Sequence, residues 1–245
     1  MKKYTTYLSL TFAVLFLSVS MLQAQVELST GVDFVNRYVW RGLDIANTPS
    51  AQPSITLSAG GFAAGFWGAY TLTNQASGAD ATDEIDIWMS YGFETETAGT
   101  FGLLLTDYTF PNNGIPYGNF NDWDNADGPG AHLLELGVTY AGPESFPISI
   151  LLAKNVYNEQ GKNTYFELGY DATAGDLGLH FYLGGTPGSS DNPGYYGAEK
   201  FSIINLGMKV SKEIKISDSF SLPVFSSITL NPALAKPYFI IGISL

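Results

Sequence analysis

Cysteine is absent from the 245 residues of this chain, so disulfide frameworks, thiolate metal sites and cysteine nucleophiles are excluded together. Histidine is almost as scarce, with His132 and His180 the only two imidazoles available as bases. Basic side chains are few as well: 11 Lys and Arg stand against 23 Asp and Glu. Such a surface repels nucleic acid, whose binding rests on Lys and Arg neutralising phosphates, and DNA and RNA are dropped as partners. Long apolar runs are missing beyond the first 24 residues, so the remainder contains no transmembrane helix. That absence does not touch barrels, whose spanning strands need only about 9–11 residues each.

The start of the chain is different. Lys2 and Lys3 precede an apolar stretch from Leu8 to Leu22, broken by Ser18 and Ser20, and Ala24 offers a small residue before Gln25. This order of charge, short apolar core and small residue reads as an export signal, cleaved after residue 24. Losing Lys2 and Lys3 takes the basic count from 11 to 9 against 23 acids, a formal charge of −14. The residues from 25 to 245 suit one barrel or sandwich domain.

Alternation is the dominant pattern there, the period of a strand whose faces meet different surroundings. Ile85, Ile87, Met89, Tyr91 and Phe93 share one face, while Glu84, Asp86, Trp88, Ser90 and Gly92 share the other. Leu134, Leu136, Val138 and Tyr140 likewise oppose Glu135, Gly137 and Thr139. Segmenting on this pattern predicts about twelve strands, at 26–37, 52–60, 62–72, 83–94, 99–110, 131–141, 147–157, 163–171, 176–185, 199–211, 219–230 and 237–245. The links between them mostly alternate long and short, as the outer loops and periplasmic turns of membrane barrels do. Phe62, Phe93, Phe101, Tyr140 and Tyr170 fall at one rim on the apolar face, an aromatic girdle. A soluble sandwich would carry many Lys, Glu and Arg on its polar face. Here that face is rich in Gly, Ser, Thr, Asn and Tyr, which suits a crowded lumen. The expected fold is all-β, a transmembrane antiparallel up-and-down barrel in the bacterial outer membrane, with outer-membrane lipid as its surroundings.

Phe239, Ile241, Ile243 and Leu245 alternate to the end of the sequence, which resembles the C-terminal signal read by the barrel-assembly machinery, with Leu in place of the usual terminal Phe. The segment Asn36-Arg37-Tyr38-Val39-Trp40-Arg41-Gly42-Leu43, followed by Gln52-Pro53-Ser54-Ile55 and preceded by Gly31 and Asp33, resembles the TorF-type porins. These are exported barrels with a Tyr-x-x-Arg-Gly element near the mature N-terminus. The resemblance implies an outer-membrane porin and names no solute.

Strand parity places Glu27, Asp33, Glu84, Asp86, Glu135 and Glu167 in the lumen with Arg37 and Lys209. An open pore lined this way admits small solutes and ions and prefers cations. In an occluded barrel the same charges pair internally, because buried carboxylates need partners. Arg37 and Arg41 either bind anions at the mouth or pin the first loop to Glu84, Asp86 or Glu135. Trp40 beside them reads as an interfacial anchor. The 111–130 loop, with its Asp122, Asp124 and Asp127, fails the calcium-loop pattern because Ala126 takes a ligand position. It reads instead as a solvated outer loop or a pore constriction. Neither His132 nor His180 carries the His-x-Ser spacing of barrel lipases, and both read as lumen residues. No catalytic centre, metal site or cofactor is expected.

Overall fold

In a computed structural model, residues 25–73 and 83–245 are described. Residues 1–24, read from sequence as an export signal, and most of the 73–82 loop lie outside the described residues. Among the described residues fourteen strands follow one another: β1 (Val26–Val35), β2 (Tyr38–Trp40), β3 (Leu43–Ala46), β4 (Ser50–Ala59), β5 (Phe62–Thr71), β6 (Glu84–Thr95), β7 (Gly99–Thr109), β8 (Leu133–Ala141), β9 (Ile148–Tyr157), β10 (Thr164–Ala174), β11 (Leu177–Thr186), β12 (Ser202–Lys215), β13 (Ser221–Asn231) and β14 (Lys236–Ser244). Twelve of them close into one antiparallel barrel in which each pairs with its chain neighbours, and β1 meets both β4 and β14. The other two, β2 and β3, form a separate hairpin. Among the described residues no helix is long and apolar enough to cross a membrane, which says nothing of a barrel.

The wall follows the alternation. Ile87, Met89, Tyr91 and Phe93 of β6 are exposed outward, as are Leu136 and Val138 of β8, Leu168 and Tyr170 of β10, and Phe239 and Ile241 of β14. Their neighbours face in. Phe93 stacks on Phe101 at 5.6 Å, and Phe101 meets Tyr140 at 5.0 Å, so part of the predicted girdle is a continuous aromatic contact across β6, β7 and β8. Following the pairings once round the wall returns to β1 about 16 residues further along, a stagger that tilts twelve strands near the upper end of the usual 35–45°.

The closing seam is short. β1 pairs with β4 from Val26 to Val35 but with β14 only at Asp33, Phe34 and Val35. Two devices lengthen it. Val32 and Leu245 exchange both backbone hydrogen bonds at 3.0 Å. The Asn36 side chain then imitates a peptide unit, accepting from the Ile241 N–H at 2.9 Å and donating to the Phe239 carbonyl at 3.2 Å.

Both ends of the wall lie at one rim, here the terminal end, where turns such as Gly60-Gly61 and Gly175-Asp176 are tight. The longer connections gather at the far end. The first long link, which the sequence reads as a plain loop over 38–51, runs from 36 to 49 and holds the β2–β3 hairpin, which lies inside the barrel.

Candidate functional site: the hairpin in the lumen

The tip of the hairpin is Arg41-Gly42, with φ of 48° and 76°, between the paired residues Trp40 and Leu43. Two consecutive positive φ values are those of a two-residue type I′ loop. At Gly42 a Cβ would collide with the Ile204 carbonyl oxygen, so only glycine lets the tip come this close to β12. The Gly42 carbonyl accepts a hydrogen bond from the Asn231 amide on β13 at 3.0 Å, anchoring the tip from across the lumen.

Arg41 is the centre of the site. Its two terminal nitrogens donate to the two Glu135 carboxylate oxygens at 2.6 and 2.8 Å, a bidentate pair in which Arg41 is 8% and Glu135 2% exposed. The Tyr196 hydroxyl accepts a third bond from Arg41 at 3.0 Å, and Tyr108 donates to Glu135 at 3.0 Å. Above and below, the guanidinium sits 4.3 Å from the Trp40 ring and 4.4 Å from the Tyr165 ring. A buried ion pair is tolerated only when further hydrogen bonds support it, and here Tyr196 accepts from Arg41 while Tyr108 donates to Glu135.

The 187–201 segment folds in from the far end and completes the filling. Tyr196 stacks near Trp40 and Tyr165, Ile204 at the β12 bulge is fully buried, and Asn155 donates to the Tyr195 hydroxyl at 2.9 Å. Burial drives both the Tyr195 and Tyr196 hydroxyls above the ordinary phenol range, so they remain neutral partners at physiological pH. Tyr38 packs on Trp67 with Ala46 and Ala69 behind it. The far half of the interior is therefore largely filled with side chains, with one enclosed gap left between the hairpin and the wall. Towards the terminal end it opens: a cavity of ≈ 180 Å³ beneath the tip touches Arg41, Glu167, Tyr182, Asn205 and Thr229. Beyond it Lys209 and Ser211 are exposed inside the wall.

The residues singled out by sequence fall into three groups. Arg41, Glu135, Glu84 and Asp86 come together around the hairpin, all buried. Glu167 lies just below, accepting hydrogen bonds from the Tyr165 hydroxyl and from Asn205, the latter at 2.9 Å. Arg37 stays at the base of the hairpin, paired with Asp44 at 3.3 Å and donating to Asn47, so it is a brace within the link. Asp33 and Lys209 stand apart, Asp33 opposite Ser244 at the seam and Lys209 over the Phe225 ring at 4.1 Å. Glu27 is exposed near the terminal rim.

Three expectations need correction. Trp40 is no interfacial anchor; it is a ring of the lumen filling, because the hairpin folds inward. His132 does not face the lumen. It lies on the outer face, parallel to Leu134 and Leu136, and is buried because the 111–130 loop folds down the outside of the wall. There its ring bonds Asp107 and the Tyr117 carbonyl, each at 2.7 Å, and stacks on Phe120 at 4.0 Å. That loop is accordingly an outer loop with most of its residues exposed, fastened to the outside of the wall and not folded into the pore as a constriction. His180 does face inward, 2.7 Å from Asp171. Ser149 crowds the same space across Gly169, yet no hydrogen bond joins Ser149 to His180 among the described residues.

Tyr108, Asn155, Tyr195, Tyr196 and Asn231 are site residues that alternation does not single out. One signal was legible: Tyr38-Val39-Trp40 and Leu43-Asp44-Ile45 flank an Arg-Gly pair, the spacing of a tight hairpin.

With this arrangement in view, one comparison with known proteins is decisive. A family model described as a bacterial protein of unknown function (Gcw_chp) matches residues 21–179. The chain belongs to the Gcw_chp family. No curated protein matches it. The Gcw_chp match takes in the hairpin, Glu84, Asp86, Glu135, Tyr165 and Glu167, but ends before Tyr195 and Tyr196. The latch from Arg41 to Glu135 thus lies wholly inside the family region, while the 187–201 filling lies outside it. The closed twelve-strand wall with its apolar outer face is the architecture of a bacterial outer-membrane barrel.

Proposed function

We propose that the protein is an outer-membrane channel for small solutes, cation-preferring, closed in this state by its first loop. The observation that carries the reading is the β2–β3 hairpin lodged in the far half of the lumen, held by side-chain contacts and one bidentate ion pair. A hairpin held this way is removable without breaking any strand of the wall. Carboxylates outnumber cations along the passage, with Asp33, Glu84, Asp86, Glu135, Glu167 and Asp171 against Arg37, Arg41 and Lys209, and so favour cations. The resemblance of the 36–43 segment to the TorF-type porins supports the same reading, as does the reading of residues 1–24 as an export signal.

The test is single-channel current in a planar bilayer under a salt gradient. Full-length mature protein is expected to give rare or small steps. A variant with residues 37–47 replaced by a short Gly-Ser link is expected to give large, steady, cation-selective steps. If that variant is folded and still silent, the channel reading fails. A non-conducting barrel that binds a ligand within its filled half is then the better account, one already favoured by the extent of the aromatic packing around Trp40.

A further inference from the structure

A second interior cavity, ≈ 250 Å³, lies between the hairpin and the wall formed by β6, β7 and β8. Its sides are the rings of Trp40, Tyr108 and Tyr195 and the side chains of Leu43 and Leu133, and one carboxylate, Glu84, joins them. Glu84 is 4% exposed, and Asp86, two residues along the same inward face, is 8% exposed. The Tyr38 hydroxyl is a hydrogen-bonding neighbour of Glu84, and Asp86 Oδ1 is buried with no partner. Among the described residues the ion pairs join Arg37 to Asp44, Arg41 to Glu135, His132 to Asp107, His180 to Asp171, Lys212 to Asp176 and Lys215 to Asp218. Neither Glu84 nor Asp86 is in an ion pair in that set, and Arg41, bound to Glu135, reaches Glu84 only through space.

An ionised, unpaired carboxylate is costly in this apolar enclosure, so the pair either holds its protons or takes up a cation. A cation of the right shape would relieve it. A hard metal ion is a poor fit, because it needs several oxygen ligands and the walls are rings and aliphatic chains. Among the described residues no group of three or more His, Asp or Glu is placed to hold a metal. Aromatic faces around one carboxylate instead suit an ammonium carrying alkyl groups, whose charge is spread over a surface that rings attract. The adjoining geometry already works this way: the Arg41 guanidinium lies 4.3 Å from the centroid of Trp40, a ring that also lines the cavity.

We propose that this cavity binds a small organic cation, a substituted ammonium ion, with Glu84 as its counter-ion and Trp40, Tyr108 and Tyr195 as its walls. The proposal goes beyond the channel reading and is tested without any current, so a silent barrel can still bind and a conducting one can fail to.

The experiment uses mature protein in maltoside micelles, since phosphocholine detergents carry a competing quaternary ammonium. Butyltrimethylammonium is titrated by calorimetry, with 3,3-dimethylbutan-1-ol as a neutral probe with the same branched, methyl-rich head. The cation is expected to bind saturably, with the neutral alcohol weaker by about tenfold or more. Glu84→Gln, which keeps the shape and removes the charge, is expected to weaken the cation by a similar factor. Leu133→Trp fills the cavity without touching a carboxylate and should abolish binding of both probes. Heat-dependent gel mobility confirms that each variant is folded. Equal affinity for the two probes, binding indifferent to both substitutions, or no binding to folded wild-type protein would each overturn the proposal.

Discussion

Arg41 holds a backbone conformation that side chains with a Cβ rarely adopt, and its guanidinium explains why the chain accepts it. Removing the guanidinium leaves Glu135 buried with only the Tyr108 hydroxyl for company. Arg41→Ala is therefore expected to destabilise the folded barrel by about 3–5 kcal/mol, the usual cost of stripping one partner from a buried pair. Arg41→Lys should not restore it, since an ammonium cannot make the two parallel bonds or lie flat between Trp40 and Tyr165. Urea unfolding in micelles, followed by tryptophan fluorescence, reads both variants. A loss below about 1 kcal/mol for the alanine variant would mean that the latch does not stabilise the fold. Gly42→Ala meets a different obstacle, a positive φ that costs about 1–2 kcal/mol and a collision with the β12 backbone. The hairpin tip should then withdraw, exposing Trp40 to a water-soluble quencher; an unchanged quenching profile would refute the close approach.

Among the elements, β1 and β14 make the most economical contact. With three register pairs, the seam depends on the Asn36 side chain continuing the ladder to Phe239 and Ile241. Asn36→Ala removes both bonds and should cost about 1–2 kcal/mol, seen as a lower midpoint of the heat-dependent mobility shift. An unaltered midpoint would show that the seam closes without it. The 111–130 loop has its own fastening, because His132 is stacked on Phe120 and bonded to Asp107 and the Tyr117 carbonyl. His132→Ala is expected to release the loop to protease while leaving the wall intact. Equal resistance would assign the fastening to Asn158, which donates to the Gly130 and His132 carbonyls, and to the Asn158 N–H bond with Asp122.

For the whole molecule, the outer face decides between lipid and water. Leu152 is exposed on β9 in the middle of the apolar band. In a bilayer Leu152→Arg should cost about 2–4 kcal/mol and lower insertion efficiency, whereas on a water-facing sheet it would be near neutral. Refolding yield into lipid vesicles, compared with the wild type, separates the two. The filled far half and open terminal half give the barrel two unlike ends, and both the proposed passage and the proposed binding depend on the half that the hairpin occupies.

How much of this was legible in sequence follows from the range of the forces involved. Alternation is local, since each residue's face is set by its immediate neighbours. Spacing alone therefore turns Glu84, Asp86, Glu135 and Glu167 inward and Ile87, Met89 and Tyr91 outward. Closure at twelve strands and the aromatic rim follow from repeating that local rule. The contacts of the first loop do not. Arg41 and Glu135 are 94 residues apart, and only the stagger of the wall brings β8 opposite the hairpin tip. Likewise Tyr196 reaches Arg41 across 155 residues, from a segment whose composition announces nothing but a loop. His132 shows the same limit in reverse: its parity was fixed by the strand, but its burial was decided by which side of the wall the 111–130 loop fell upon. The sequence by itself determined a two-faced barrel and the charges it turns inward. Tertiary structure alone decided that the inside is filled, because filling depends on contacts between segments that no local period connects.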